Sequence, residues 1–338
     1  MTPKPVHHFQ PNEHILSPKG IPIPGYSLDG SGIYDPARVR AAPWRLKEWD
    51  FYQITDENLC LQLTIGHVSY AGNCNIMFFD HAAQEHLYTK DIVIPLPFRS
   101  MGMPSDAHID SVLEVERSGV HLRFTTRSEE RRLTAKTDRL SAEISLKPGI
   151  QDTITICTPF DKPNEFYFNE KINLLETEIS LIFDGKPWNF NPNATFGLMD
   201  WGRGVWPFSH EWLWSSLSSR LNGRLFGFNL GCGFGNSEKA SGTENVIFYG
   251  DETIKLDRMT ITHQPDFMLP WVLDSGDGRF YATLTPHHDR TTRTKLLFVD
   301  NVCHQMFGPF SGHFLTNDGS RVEFSGQIGF AEHAVNNW

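Results

Sequence analysis

The chain has 338 residues, of which 39% are hydrophobic and 21% charged, and its formal net charge is −10. This length suffices for two domains or one large β architecture, and the composition is that of a globular protein. The acidic balance argues against binding to nucleic acid, which needs a basic surface, and against attraction to anionic lipid. No stretch approaches the roughly 20 apolar residues of a membrane span, and the N-terminus lacks the apolar core of a signal peptide. We therefore expect a cytoplasmic protein.

The first 43 residues are rich in proline and glycine and carry turn signals at 24–25 and 29–30. They are predicted to form an extended arm that wraps the body of the protein. From Trp44 onward, short runs with the alternating polar and apolar pattern of half-buried strands are separated by turns. The clearest of these runs are 59–65, 75–79, 120–124, 153–156, 178–183, 224–228, 280–284 and 322–324.

Asp-Gly and Asn-Gly pairs at 184–185, 222–223, 277–278 and 318–319 lie between such runs, as β-hairpins require. Helical patterns are few, and the charged stretch 127–136 fits either a helix or a strand edge. Short strands with tight turns predict an all-β fold, and the length favours two antiparallel barrels or sandwiches packed together. The expected division is an arm over 1–43, a first barrel over 44–190 and a second barrel over 191–338, with the boundary near 189–195.

The run from Asp200 to Trp214 is the most informative stretch for function. It contains four tryptophans, two carboxylates, an arginine and a histidine in fifteen positions. If its second half is a strand, alternation places His210, Trp212 and Trp214 on one face and the residues between them on the other. Such a face is typical of a binding pocket, and equally of a well-packed barrel interior.

The glycine-rich segment 227–235 lacks the lysine and the following helix of a phosphate-binding loop. Its glycines alternate with larger residues, which indicates a strand with one face stripped of side chains. Such a face allows a backbone, an indole or a ligand to approach closely. Packing against Trp212 and Trp214 is as good an interpretation as ligand binding.

Histidines and cysteines do not predict a metal site. His287, His288 and Asp289 are adjacent, but neighbouring strand positions diverge, so at most two of the three could face one ion. Solvated loop histidines are the favoured interpretation, and neither a metal nor a cofactor is expected. The five cysteines are dispersed and are expected to be reduced thiols. A contact between Cys303 and His304 is disfavoured because adjacent strand residues point to opposite faces.

Three carboxylates lie in apolar sequence context, namely Asp200, Glu244 and Glu332. A carboxylic acid desolvated in a pocket has a raised pKa and can hold a proton near neutral pH. Beside tryptophan faces, which stabilise positive charge, such acids could start hydration, isomerisation or cyclisation of an alkene. In the alternative interpretation, Asp200 forms a buried ion pair with Arg203 or Arg220, and the two glutamates lie in loops.

Several of these motifs resemble a known family. They are Asp200-Trp-Gly-Arg-Gly-Val-Trp-Pro, Trp212-Leu-Trp, Gly227-Phe-Asn-Leu-Gly-Cys-Gly, Thr243-Glu-Asn-Val-Ile-Phe, Val302-Cys-His-Gln-Met-Phe-Gly-Pro-Phe-Ser-Gly and Gly329-Phe-Ala-Glu-His-Ala. With Trp49-Asp-Phe-Tyr and His67-Val-Ser-Tyr-Ala-Gly, they resemble the bacterial family known as domain of unknown function 2804, from about Gly20 onward. That resemblance implies no activity.

The Trp-rich segment 204–214 also resembles the double lipocalin-like proteins, which include carotenoid 1,2-hydratases, kievitone hydratases and Diels–Alderase relatives. This resemblance implies two calycin-like, or lipocalin-like, barrels that hold an apolar, terpenoid or polyketide-like ligand. The catalytic aspartate of the hydratases has no secure counterpart in this chain, so Asp200 is a candidate from its own context.

The leading hypothesis is a cofactor-independent enzyme that acts by acid–base chemistry on a largely apolar small molecule. The predicted catalytic residues are Asp200 and Glu244 as general acids and His304 and His210 as proton relays. The predicted binding residues are Arg203 as a polar anchor, the indoles of Trp201, Trp206, Trp212 and Trp214, and further Asn245 and Tyr70. A second hypothesis is a non-catalytic carrier of an apolar ligand. A third is a carbohydrate-active protein that uses paired carboxylates.

Overall fold

The protein folds into two curled antiparallel β-sheets in a computed structural model that describes residues 6–236, 239–240, 242–296 and 299–337. The strands of the first sheet are β1 (Gly25–Ser27), β2 (Leu46–Thr55), β3 (Leu59–His67), β4 (Ala71–Asp80), β5 (Glu85–Pro95), β6 (Ser111–Arg117), β7 (Val120–Arg127), β8 (Glu130–Lys136), β9 (Leu140–Pro148), β10 (Ile154–Pro159), β11 (Phe166–Phe183), β12 (Lys186–Trp188) and β13 (Phe196–Val205). Two single-turn 3₁₀ helices, Pro36–Arg38 and Pro43–Arg45, precede β2.

The second sheet follows in the chain. Its strands are β14 (Ser209–Leu221), β15 (Arg224–Cys232), β16 (Val246–Tyr249), β17 (Glu252–Lys255), β18 (Thr260–Thr262), β19 (Trp271–Asp274), β20 (Phe280–Leu284), β21 (His288–Leu296), β22 (Val299–Leu315) and β23 (Arg321–Asn337). No helix among the described residues is long and apolar enough to cross a membrane.

Each sheet curls around its own hydrophobic core. The strand order is β5-β4-β3-β2-β13-β11-β9-β8-β7-β6 in the first sheet and β17-β16-β15-β14-β23-β22-β20-β19-β18 in the second. The predicted arm contributes to the first core, because Phe9, Ile15, Leu16 and Tyr34 are buried within it. Within residues 6–43, β1 is the one named strand of the arm that pairs with the sheet, along β10.

The sequence prediction of an all-β fold is confirmed. Every predicted run lies wholly or largely within a strand, and the Asn-Gly turn at 222–223 joins β14 to β15 with both residues at positive φ, 52° and 77°. The charged stretch 127–136 forms the β7–β8 hairpin and no helix. Its Arg131 side chain reaches the main-chain oxygen of Ala107 inside the sheet, so the charge density does not mark a solvated helix face.

The change of sheet lies later than the expected boundary at 190/191. Strand β13 pairs with β2 and β11, so the first sheet continues to Val205, and the second begins with Ser209. The turn signals at 191–193 connect β12 to β13 within the first sheet. We propose that the domain division lies in the short connection between Val205 and Ser209.

The two sheets pack face to face through their outer surfaces. One apolar cluster takes Cys60, Met77, Phe79 and Leu198 from the first sheet and Trp214, Phe307 and Phe330 from the second. Gln62 Nε2 donates across this interface to Gln305 Oε1 at 2.8 Å. The alternation of strand residues therefore gives each interface strand one face in its own core and one face against the other sheet.

Candidate active site

Asp200 lies on the interface face of β13. Its Oδ1 accepts hydrogen bonds from Lys171 Nζ at 2.9 Å and from Asn169 Nδ2 at 2.5 Å. Both donors belong to the adjacent strand β11, where Lys171 pairs directly with Asp200. The Lys171 ammonium also lies 3.7 Å from the ring centroid of Trp214 in the second sheet. The partner of Asp200 is therefore Lys171, and the expected pairing with Arg203 or Arg220 is wrong.

Arg203 and Trp201 lie on the opposite face of β13, in the first core. The Arg203 guanidinium is fully buried, donates to Asp50 Oδ1 at 2.8 Å and lies 4.1 Å from the ring centroid of Trp201. It also donates to the main-chain oxygens of Trp49 and Pro104. The structure does not bring these two predicted binding residues to Asp200. They are one and three positions away from it in the same strand, and residues separated by an odd number of positions point to opposite faces.

Glu244 enters the interface from the segment before β16. Its Oε2 accepts from Asn229 Nδ2 at 3.1 Å, and Asn229 Oδ1 in turn accepts from Trp214 Nε1 at 2.7 Å. A methyl group at Gly231 would lie 2.4 Å from Glu244 Oε1, so the glycine face of β15 makes room for this carboxyl group. Burial raises the pKa of Glu244, and the positive charge of Lys171 only partly offsets this rise.

Glu332 lies on β23 and is buried, so the interpretation that it occupies a loop is wrong. Its Oε1 accepts from Trp212 Nε1 at 3.0 Å, and its Oε2 accepts from Gln305 Nε2 at 3.2 Å. The thiol of Cys303 points to the same Oε2, at 3.8 Å. Burial raises the pKa of Glu332, and the Trp212 hydrogen bond opposes that shift.

Tyr167 joins these groups from β11 and was not identified from the sequence. Its ring is buried, and within the described part of the chain its hydroxyl has no hydrogen-bond partner. Burial and the charges of Glu244, Asp200 and Glu332 raise its pKa well above the usual value, so the phenol is protonated and can donate. The alternation that places Tyr167, Asn169 and Lys171 on one face of β11 is the signal that could have found it.

Aromatic rings cover this acid cluster on one side. We call Trp49, Trp206, His210, Trp212 and Phe234 the aromatic collar. Trp49–Trp206 and Trp206–Trp212 pack edge to face with centroids 5.2 and 5.5 Å apart, and Trp212–Phe234 are tilted with centroids 4.7 Å apart. Burial lowers the pKa of His210 to about 4, so this imidazole is neutral at neutral pH.

The predicted face of β14 is present as expected. His210 and Trp212 stack with centroids 5.8 Å apart, and Trp214 contacts Phe51 of the first sheet at 6.3 Å. Leu213, on the other face, packs against the second core. This face lines the interface between the sheets, rather than the interior of the second barrel.

The remaining predicted residues have other positions. His304 lies on the face of β22 opposite Cys303, where Nδ1 bonds Asp289 Oδ2 at 2.9 Å and the imidazole stacks on Phe267. Asn245 Oδ1 accepts from the amide of Gly231 at 2.7 Å and so fixes the segment that carries Glu244.

Tyr70 lies in the turn between β3 and β4, where Leu96 donates to its carbonyl oxygen. The structure therefore brings Asp200, Glu244, Trp206, Trp212, Trp214 and His210 together, with Asn245 beside them, and leaves Trp201, Arg203, His304 and Tyr70 outside.

His287 and His288 are half-buried against the first sheet, and the expectation of solvated loop histidines is wrong. The His287 ring lies 5.5 Å from His81, and the His288 ring lies 5.2 Å from Phe79. Among the described residues, no three His, Cys, Asp or Glu side chains are arranged to hold a metal ion.

Comparison with known proteins identifies the family of this chain. Residues 7–338 match the family model described as Domain of unknown function (DUF2804). The chain belongs to this family. No curated protein matches the chain.

Solved structures show the same fold as this DUF2804 chain. Kievitone hydratase from Nectria haematococca is 14% identical, with a TM-score of 0.57 and coverage of 98% of both chains. The structure of CghA with Sch210972 is 11% identical, with a TM-score of 0.59 and coverage of 96% of this chain and 97% of that one. At these identities the likeness shows the lipocalin-like two-sheet architecture alone.

Proposed function

We propose that the interface site catalyses acid–base chemistry, and that the DUF2804 chain is a cofactor-independent enzyme of the hydratase, isomerase or cyclase type. Its substrate is a largely apolar small molecule. The observation that carries this proposal is Glu244, a fully buried carboxyl group whose pKa is raised by burial. It lies beneath an aromatic collar and close enough to the unpartnered Tyr167 hydroxyl to raise the pKa of that phenol.

Hydrogen bonding distinguishes Glu244 from the two other acids. Asp200 is held by the Lys171 ammonium and the Asn169 amide, and both oxygens of Glu332 accept from donors of the second sheet. Among the described residues, Glu244 accepts one side-chain hydrogen bond, from the neutral Asn229 amide to Oε2, and no ammonium group pairs with it as Lys171 pairs with Asp200. We therefore assign Glu244 as the general acid and Asp200 with Lys171 as an electrostatic support.

The surrounding groups fit protonation of an unsaturated carbon. Transfer of the Glu244 proton to an alkene forms a C–H bond and leaves positive charge on the neighbouring carbon, which the faces of Trp212 and Trp214 stabilise. Attack by water, loss of a proton or attack by an internal carbon then gives hydration, isomerisation or cyclisation. The proton released in that step returns to Glu244 and completes the cycle.

The comparisons support the same class of reaction. One neighbour of the same fold is a hydratase by name, and another was solved with a small molecule. A low-dielectric interface between two rigid sheets is also the kind of place where perturbed acids serve catalysis.

The test is proton transfer to carbon. The protein is incubated in D₂O with a panel of neutral, ring-bearing alkenes and conjugated enones, and the products are analysed by mass spectrometry. We expect deuterium in one compound, with the rate lowered about 10²–10⁴-fold in Glu244→Gln. The matched control, Glu178→Gln on the exposed part of β11, keeps the wild-type rate.

Two results would count against the enzyme. Equal deuterium incorporation by wild type and Glu244→Gln would remove Glu244 from the mechanism. Retention of one panel compound through purification, chemically unchanged, would favour a carrier instead.

A further inference from the structure

Phe234 occupies the centre of the aromatic collar. Its ring stacks on Tyr167 with centroids 4.1 Å apart and an interplanar angle of 12°. The rings of Trp212, His210 and Trp206 surround it, with centroids at 4.7, 5.4 and 5.6 Å. Phe234 therefore fills the space directly above the tyrosine ring, as a flat bound molecule would.

The backbone around Phe234 is built for this insertion. Strand β15 ends at Cys232, and the flanking Gly233 and Gly235 have φ of +94° and +71°, values that side chains rarely adopt. Asn236 anchors the far side of the turn, because its amide donates to Pro159 O at 2.8 Å. Both glycines lie beyond the paired part of β15, whose last residue, Cys232, pairs with Leu213.

The hydroxyl of Tyr167 supplies an independent observation. A buried hydroxyl without a partner costs free energy, and such groups are retained mainly where function needs them. Burial and the charges of the three nearby acids raise its pKa, so the phenol stays protonated and can donate a hydrogen bond to an acceptor on a ligand. Phe234, which covers the tyrosine ring, has no acceptor in its side chain.

We propose that the Phe234 ring occupies the binding position of the substrate ring, and that a flat ligand displaces it and stacks on Tyr167 in its place. This inference rests on the proposed function and narrows its substrate. The ligand is a planar or conjugated ring with an oxygen that accepts from the Tyr167 hydroxyl. It is neutral, because Asp200, Glu244 and Glu332 face the site and the nearby cations of the described residues already have acceptors: Lys171 pairs with Asp200, Arg290 donates to Gln305 Oε1 and Lys255 donates to Asn245 O.

Fluorescent probe binding tests the proposal. The probes are neutral 6-propionyl-2-(dimethylamino)naphthalene, whose ketone oxygen can accept from Tyr167, and anionic 8-anilino-1-naphthalenesulfonate, titrated into wild type, Phe234→Ala and Phe208→Ala. In wild type, the probe binds only those molecules in which the Phe234 ring has left the site. If that fraction is about one tenth, removal of the ring makes every molecule competent, so we expect about tenfold tighter binding of the neutral probe to Phe234→Ala. Phe208→Ala, a change at a nearby ring that is 52% exposed, leaves binding unchanged.

We expect the Phe234→Ala substitution to raise the affinity for the anionic probe less than the affinity for the neutral probe. If Phe234→Ala does not fold, Phe234→Leu gives a smaller gain in the same direction. Wild-type affinity in a folded Phe234 variant, or an equal gain for the anionic probe, overturns the proposal. Probe binding does not require turnover, so its gain must persist in Phe234→Ala/Glu244→Gln. If Phe234→Ala binds the probe no more tightly than wild type while wild type transfers deuterium, only this inference is refuted. If the probe affinity of Phe234→Ala rises as expected but wild type transfers no deuterium, only the catalytic role is refuted.

Discussion

Removal of the Lys171 ammonium gives the sharpest test of how the interface is held together. In Lys171→Met the side chain is one atom shorter and stays apolar and flexible, but Asp200 loses the cation 2.9 Å from Oδ1 and Trp214 loses the ammonium over its ring. Both side chains of this ion pair are at most 10% exposed. Among the described residues, the Asn169 amide is then the one side-chain donor left to the buried Asp200 carboxylate.

The magnitude follows from that burial. Removal of one partner from a buried ion pair costs about 3–5 kcal/mol, whereas replacement of both partners by neutral groups is often close to neutral. We expect Lys171→Met to lower the free energy of unfolding by about 3–5 kcal/mol at neutral pH. The double variant Lys171→Met/Asp200→Asn should recover most of this loss.

The assay is urea unfolding followed by tryptophan fluorescence, with the free energy extrapolated to water. The exposed pair Arg139–Asp184 is the matched control, since both side chains are nearly half exposed. Loss of such a pair in Arg139→Met is worth about 1 kcal/mol at most. A loss below about 1 kcal/mol in Lys171→Met, or an equal loss in the double variant, would refute the assignment of a buried, coupled pair.

Three further predictions concern neighbouring groups. Gly231→Ala places a methyl group 2.4 Å from Glu244 Oε1, so we expect lower deuterium transfer and a lower melting temperature, measured together. Glu244 has a raised pKa in the folded state, so the folded protein holds a proton that the unfolded chain releases above about pH 4.5. Glu244→Gln should therefore gain stability relative to wild type as pH rises from that value, in urea titrations across pH. His81 has a pKa lowered to about 3 by burial, so stability should fall as pH drops from 6.5 towards 3. His81→Phe should flatten that acid limb, and His313→Phe should leave it unchanged.

The fold was largely predictable because polar and apolar residues alternate with a period of two along a strand that has one buried and one exposed face. The Asn222-Gly223 turn shows this, since the pair sits between two alternating runs and adopts the left-handed backbone of a tight hairpin. The sheet boundary was less predictable. Proline and asparagine at 191–193 mark a turn, but a turn signal does not reveal which strands pair on either side of it.

The candidate site was half predictable for the same reason. Alternation correctly grouped His210, Trp212 and Trp214, because they share one strand. Lys171 and Tyr167 come from another strand about 30 residues earlier, and cross-strand register cannot be read from composition. The predicted place of Arg203 beside Asp200 is wrong because closeness in sequence is not closeness in space: the two residues lie on opposite faces of β13.

The central claim is the proposal that Glu244, a carboxyl group whose pKa is raised by burial, is the general acid between the two sheets. The most direct measurement is the infrared carbonyl stretch of a protonated carboxylic acid, compared between wild type, Glu244→Gln and the exposed control Glu178→Gln. The account predicts that the difference spectrum of wild type minus Glu244→Gln shows this band at pH 7, and that the spectrum of wild type minus Glu178→Gln does not. The subtraction removes the contribution of other buried acids such as Glu332, whose pKa burial also raises. A difference spectrum of wild type minus Glu244→Gln that lacks the band would contradict the assignment of Glu244 as the general acid.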